Sequence, residues 1–301
     1  MFVSVVIPTH NKAKRLELTL LSLSLTKQRY PSNKFEVIVV DDGSSDNTKN
    51  VVAEFINKQV IDIKYFYQEN KGRAAARNNG IKQAKGEVII FLDDDRLVEN
   101  SFIDQHIKFF KGRTNKNIAV LGKRMNLYIS RIDEDFGEIK KNVEKDIRQI
   151  FKKGREEYYW RKTKKVFQMP AISWIAFTTG NVSISKKVLF DAGLFNESFQ
   201  GWGLEDTELG FRLWKNNTLF ISNEKAVNYH IEHPRDLDKR KEEETRNHEL
   251  FYCLHPELPV KLFRKYVYGE ISLENFNIAI SGEGNLCGEG ETFYKKGNIL
   301  G

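Results

Sequence analysis

Glu87-Val88-Ile89-Ile90-Phe91-Leu92-Asp93-Asp94-Asp95 decides how this chain is read. The first six residues, β-branched and aromatic and preceded by Gly86, have the pattern of a buried strand. Three carboxylates follow where that strand leaves its sheet, the edge at which ligands bind in open α/β sheets. Crowding three carboxylates costs repulsion unless a cation offsets it. Hard divalent ions such as Mg2+ and Mn2+ take oxygen ligands and bridge to substrate phosphates, so the triplet is a candidate metal and phosphate site. The bland alternative is a solvated acidic turn.

Working outward, the preceding residues alternate strands and helices. Residues 3–7 are an apolar run, followed by a helical spacing of Leu16, Leu20, Leu21, Leu23 and Leu25. Residues 35–40 form a second strand pattern ending at Asp41-Asp42-Gly43-Ser44. Asp46-Asn47-Thr48 opens a helix with Val51, Val52, Phe55 and Ile56 on its inner face. Residues 63–67 read as a third strand and 73–84 as a third helix. This alternation predicts a parallel sheet covered by helices on both faces, with right-handed crossovers. Beyond the triplet the rhythm changes. Residues 120–169 are basic, aromatic and irregular, with one amphipathic helix expected over 143–158. Residues 178–184 read as a loop feeding a strand, and helices are expected over 186–192 and 205–215. A partly helical tail follows His255, ending in a Gly-rich stretch over 281–301. No linker separates two independent domains.

With 301 residues, 40% hydrophobic and 12% aromatic, the chain can bury a sizeable core. No apolar stretch approaches the roughly 20 residues of a membrane helix. The sequence starts directly in strand-like residues, without a basic n-region or cleavage site, so the mature chain is expected to begin at Met1 and to be cytoplasmic. Cys253 and Cys287 have no metal-like spacing and are expected to be reduced thiols. The net charge of +7 is concentrated: residues 140–165 hold eleven Lys/Arg against four Asp/Glu. That segment, with Tyr158, Tyr159 and Trp160, is either a patch for an anionic partner, including peripheral contact with an anionic inner membrane face, or a solvated helix surface. Nothing resembles a nucleic-acid module, and no nucleic-acid partner is expected.

Several motifs combine: Ile7-Pro8-Thr9-His10-Asn11, Val39-Val40-Asp41-Asp42-Gly43-Ser44, the run from Asn70 to Gly80, and the acidic triplet. Together they resemble the nucleotide-sugar domain of family 2 glycosyltransferases, which have the GT-A, Rossmann-like fold. Thr179-Gly180-Asn181 and Gly201-Trp202-Gly203-Leu204-Glu205-Asp206 are similar to the acceptor half of bacterial chondroitin polymerases and animal β4-galactosyltransferases. Each motif is weak alone; their order along the chain is specific, and it covers roughly residues 2–235.

The resemblance implies a mostly parallel central sheet with a helical acceptor-side extension. Residues 1–118 would be the nucleotide-sugar half of one domain, 119–235 its acceptor and catalytic half, and 236–301 a C-terminal tail. It also implies donor contacts from Pro8, Thr9 and Asn11, and a carboxylate, Asp41 or Asp42, accepting from the uracil N3 donor. That pair could instead form a helix-capping turn. Lys71, Arg73 and Arg77 would face base or diphosphate at a helix N-terminus, which favours anions; alternatively Arg77 pairs with an aspartate as a structural salt bridge. Asp93 would contact ribose or donor sugar, Asp94 would join it in donor-nucleotide binding, and Asp95 would ligate the metal. His230 is the expected second ligand, with His233 competing. Asp206, with Glu205, would supply the general base that an inverting transfer needs, its ionisation aided by the helix dipole. Helix capping is the plainer role for that pair. Gly201 and Gly203 would let the backbone approach an acceptor, and Trp202 would offer a sugar ring its apolar face.

The expected activity is a metal-dependent (Mn2+ or Mg2+), inverting transfer of one sugar from a UDP-sugar to a hydroxyl of a glycan, lipid-linked glycan or protein. The absence of a Gln-x-x-Arg-Trp signature and of membrane helices argues against a processive polymerase. Two rivals remain. A sugar-phosphate nucleotidylyltransferase should carry a Gly-rich loop after its first strand, where Pro8-Thr9-His10-Asn11 has none. A non-catalytic nucleotide or glycan binder would not need Asp95, Asp206 and His230 together.

Overall fold

The computed structural model describes residues 1–25, 29–113, 117–129, 131–234 and 236–282. The strands are β1 (Val3–Thr9), β2 (Phe35–Asp42), β3 (Ile63–Gln68), β4 (Val88–Leu92), β5 (Arg96–Val98), β6 (Ile118–Leu127), β7 (Arg155–Glu156), β8 (Asn181–Ser185) and β9 (Leu219–Ile231). The α-helices are α1 (Ala13–Leu25), α2 (Thr48–Lys58), α3 (Arg73–Gln83), α4 (Phe102–Ile107), α5 (Phe136–Phe151), α6 (Tyr158–Thr163), α7 (Lys186–Asp191), α8 (Glu205–Lys215), α9 (Leu237–Leu254), α10 (Leu258–Val267) and α11 (Leu273–Ser281).

The described strands form one sheet in the order β3-β2-β1-β4-β8-β6-β9-β5, with β7 on β6. The first four are parallel, as strands buried on both faces and joined by helical crossovers must be. β4 then meets β8 antiparallel, and β8 meets β6 antiparallel. β6 and β9 are parallel, and β5 lies antiparallel on β9. The parallel character expected from the sequence thus belongs to the first half, and the second half makes the sheet mixed.

The main departure lies at the start of residues 120–169, expected to be irregular. Residues 118–127 form the ten-residue strand β6 inside the sheet, with Ile118 to Leu121 buried. Alternating apolar residues are not required of a strand covered on both faces, so Gly122-Lys123-Arg124 hid it. The helix expected over 143–158 is α5, starting at Phe136 and kinked at Asp146, followed by the separate short α6.

Two apolar clusters cover the two faces of the sheet. One contains Val3, Leu16, Val52, Leu92, Leu127 and Ile231. The other contains Val6, Phe91, Trp174, Phe211 and Phe251, together with Phe263 and Phe276 from α10 and α11. Each cluster draws on residues from both sides of position 118, and the C-terminal helices to Ser281 pack into the second. Trp174, fully buried, is ringed by Phe211, Phe251, Phe263 and Phe276. The Gly-rich stretch from 283 onward and Cys287 lie outside the described residues. Among the described residues no helix is long and apolar enough to cross a membrane.

Candidate active site

The acidic triplet sits between β4 and β5, where the chain turns from a buried strand into an antiparallel ladder with β9. In that ladder Arg96 pairs with His230, and the Ile231 amide donates to the Asp95 carbonyl at 2.8 Å. The register alone therefore brings His230 beside Asp95 across 135 residues of sequence. His230 Nε2 and His233 Nε2 each stand 3.5 Å from Asp95 Oδ2. The candidate ligand atoms of Asp95, His230 and His233 all lie within 4.8 Å of one another. Both histidines hold their second nitrogen elsewhere. Glu232 Oε1 lies 3.4 Å from His230 Nδ1, and the Pro234 carbonyl accepts from His233 Nδ1 at 3.0 Å. A proton on Nδ1 leaves Nε2 with the lone pair that a metal takes. His230 and His233, expected to compete, converge on the same carboxylate.

The carboxylates of the triplet differ in their partners. Asp93 Oδ1 faces Arg77 at 3.4 Å and its Oδ2 faces Arg96 at 3.3 Å; burial opposes its ionisation, but the two guanidinium groups hold its pKa below the ordinary range. Asp94 is buried and its pKa is raised by that burial. Asp95, 3% exposed, is held well below the usual carboxylate range, because His230 and Lys12 outweigh the burial. Lys12 was not anticipated. Its Nζ donates to Asp95 Oδ2 at 2.7 Å and lies 3.4 Å from Asp94 Oδ1. A lysine just after an Asn-containing turn carries no periodic signal, so only the fold reveals its partner.

Arg77 joins the acidic triplet to the start of α8. It is 4% exposed on α3, and its NH1 donates to Glu205 Oε1 at 3.0 Å while NH2 reaches Asp93. Arg73, exposed at the start of the same helix, has Nε 3.8 Å from Glu205 Oε1. Glu205 is therefore in direct contact with cations, whereas its neighbour Asp206 feels Arg77 only at longer range. Asp206 is only partly buried; its Oδ1 accepts from the Thr207 amide at 2.8 Å and its Oδ2 weakly from the Thr179 amide at 3.4 Å. Burial, then repulsion from Glu205, pushes Asp206 up to about 6. The helix dipole expected to favour its ionisation is outweighed.

At the base end, the two aspartates of β2 separate. Asp42 accepts from the Lys71 and Gly72 amides at 2.9 Å each and from Gln68 at 2.8 Å, so it ties the loop before α3 to the sheet. Asp41 accepts from the Ser44 amide and Tyr65 hydroxyl and lines a cavity of about 290 Å³ with Ser44, Asp46, Lys49, Tyr65 and Tyr67. Thr9 and Pro8 lie beside Asp41 and Val40 in the β1–β2 register. Asn11, at φ 53°, uses its Oδ1 to accept from the Ser45 amide at 2.8 Å, clamping the loops after β1 and β2 together. His10 stands over this edge, its Nδ1 2.8 Å from the Asp42 carbonyl. Lys71 is exposed.

The Gly-Trp-Gly turn rests on α9. Glu243 Oε2 accepts from the Trp202 amide at 2.9 Å, and Asn247 donates to the Gly203 carbonyl at 2.9 Å. At Gly201, φ 76°, a Cβ would lie 2.4 Å from Glu243 Cδ, so no side chain fits. One face of the Trp202 ring carries the Arg240 guanidinium at 3.6 Å. Gly180, likewise, leaves space that a Cβ would take from Arg96 and Asp93. Two further residues escaped the sequence reading: Arg124 and Glu157, paired at 2.7 Å, with Glu157 also 3.6 Å from Arg96. In the basic segment, Tyr158 is exposed between Arg161 and Lys162, but Trp160 is buried in the core and contributes no surface.

Residues 165–234 match the family described as the N-terminal domain of galactosyltransferase. The Escherichia coli chondroitin synthase is 33% identical over 247 residues, covering 77% of this chain and 35% of that protein. A Bacillus subtilis protein named as the uncharacterized glycosyltransferase YfnE is 31% identical, covering 78% and 66%. The chain thus spans about a third of the first relative and just under two thirds of the second. Among solved structures, S. aureus TarS has a TM-score of 0.59 at 20% identity over 93% of this chain and 44% of that one. A Pyrobaculum calidifontis mannosyltransferase in complex with GDP-Man and Mn2+ has 0.56 at 19% identity, covering 82% and 61%. These likenesses identify the GT-A fold. Residues 4–173 match the family described as glycosyl transferase family 2, and the chain belongs to that family.

Proposed function

We propose that this chain is a metal-dependent, inverting glycosyltransferase that moves one sugar from a UDP-sugar to an acceptor hydroxyl. The observation that carries this reading is the Arg77 bridge. One buried guanidinium locks Asp93, at the donor edge, to Glu205, the residue before Asp206. Donor and base are thereby held in one frame, which transfer between two bound substrates needs.

Asp41 accepts from the base in the cavity beside Tyr65, while Asp42 is committed to the loop. A carboxylate already accepting two hydrogen bonds keeps lone pairs for a third. The Asp95, His230 and His233 donor set fits a divalent ion, and two imidazoles favour Mn2+ over Mg2+. Such an ion would neutralise charge on the departing diphosphate. Lys71 and Arg73, exposed at the start of α3, meet the same charge. Asp206 takes the acceptor proton: a carboxyl with pKa near 6 is ionised at neutral pH yet still basic enough to receive it. In-line attack opposite the diphosphate inverts the anomeric centre. Trp202, held by Glu243, supports the acceptor. Single addition is supported by the lack of a Gln-x-x-Arg-Trp signature in the sequence.

The glycan, lipid-linked or protein acceptor lies on the Trp202 side. The exposed cations of residues 140–165 support peripheral contact with an anionic membrane surface. The deciding experiment incubates the protein with a panel of UDP-sugars and Mn2+ and measures UDP release, with product anomeric configuration read by NMR. Release from one or a few donors, lost on chelation and with inversion, is expected. Release that survives chelation, or none from any donor, overturns the reading.

A further inference from the structure

We propose that Lys12 is a built-in counter-cation of the metal site: its ammonium holds the place of the divalent ion until a nucleoside diphosphate arrives, and so couples metal binding to donor binding. This deepens the function proposed above and rests on it.

The oxygen that faces both histidines, Asp95 Oδ2, is the same oxygen that accepts from Lys12 Nζ at 2.7 Å. Lys12 also lies 3.4 Å from Asp94, whereas Arg77 and Arg96 are turned to Asp93. The repulsion among three adjacent carboxylates is thus already offset by side chains, without a metal. A divalent ion taken by the same Asp95 oxygen would face the ammonium at close range, where like charges repel and each weakens the other's hold. Lys12 is the one free to leave. Its side chain is 32% exposed, on a flexible four-carbon stem at the mouth of the site. Leaving strands a charge unless an anion accepts it, and a diphosphate bridged to the metal supplies that anion within the stem's reach. The nucleotide-free protein should therefore bind metal weakly, the metal and nucleotide should strengthen each other, and the coupling must be reciprocal.

The test titrates Mn2+ into the full chain, following the EPR signal of the free ion, with and without UDP. The Mn2+–UDP complex is measured separately as the reference. Wild type should bind Mn2+ at least tenfold more weakly alone than with UDP. In Lys12→Met, the nucleotide-free affinity should rise at least tenfold and the UDP dependence should shrink. Lys12→Gln, which keeps a polar group on Asp95, should move the same way if the Met variant fails to fold. Equal or weaker nucleotide-free binding in a folded variant overturns the Lys12 role while leaving the metal site standing. Wild type that takes up no Mn2+ even with UDP overturns the site itself, and the two failures are therefore distinct.

Discussion

Asp206 can be tested by exchanging it for asparagine and measuring stability as well as rate. In the fold its pKa is pushed from 3.8 to about 6, chiefly by burial and then by Glu205. A carboxyl that holds its proton more tightly folded than unfolded stabilises the fold where both states are protonated, below pH about 4. That contribution is lost as pH rises through about 6. Two pKa units at about 1.4 kcal/mol each set a ceiling of about 3 kcal/mol for the cost of keeping Asp206 ionised at pH 8. Asparagine removes the charge and keeps a carbonyl oxygen for the Thr207 amide. Asp206→Asn should therefore stabilise the protein at pH 8 by about 1–3 kcal/mol, a few degrees in melting temperature, and by nothing below pH 4. The same change should lower the transfer rate about 10²–10⁴-fold, and the wild-type rate should fall on the acid side with a midpoint near pH 6. A residue that merely caps α8 predicts the reverse: losing a negative charge in the first turn costs about 0.3–1 kcal/mol. Thermal melts from pH 4 to 8 separate the two. A variant melting at or below wild type at pH 8 would refute the reasoning.

Three other perturbations test other parts of the site. His233→Ala removes one of three candidate ligands, so Mn2+ affinity in the presence of UDP should fall at least tenfold, read by calorimetry; unchanged affinity removes His233 from the set. Gly201→Ala meets Glu243 at a positive φ, and the clash should cost about 1–3 kcal/mol in urea unfolding and raise the acceptor KM more than the donor KM. Reversing Lys152, Lys153 and Arg161 to glutamate should abolish salt-sensitive sedimentation with anionic liposomes; equal recovery of wild type on neutral and anionic vesicles would make that surface a merely solvated one.

The parts of this architecture legible in the sequence share one property: they are local. The strand ending in Asp93, the helix starting at Arg73 and the Gly-Trp-Gly turn before Glu205 are each announced by residues within a few positions. β6 was not legible, because its basic residues lie within a strand whose partners β8 and β9 are far along the chain. Asp41 and Asp42 are adjacent and chemically identical, and only the cross-strand positions of Tyr65 and Gln68 assign them different tasks. Glu243, Arg124 and Glu157 belong to no motif; each matters through a contact the sequence cannot display.

The acidic triplet illustrates why sequence and structure give different accounts of the same charge. As a sequence, three adjacent carboxylates call for an external cation. In the fold, Arg77, Arg96 and Lys12 already surround them, with Arg77 and Arg96 buried and Lys12 partly exposed. The buried guanidiniums serve geometry: each also reaches a second carboxylate, Glu205 at the start of α8 or Glu157 before α6, and so ties the triplet to the second half of the chain. Removing Arg77 would leave Asp93 without one of its cations and Glu205 buried without its nearest, a loss of the size expected when a buried pair is broken, about 3–5 kcal/mol. Among the described residues the partly exposed ammonium contacts Asp94 and Asp95, and it reaches no carboxylate outside the triplet at ion-pair distance. The two guanidiniums are thus buried and anchored at both ends, whereas the ammonium is partly exposed and anchored at the triplet alone.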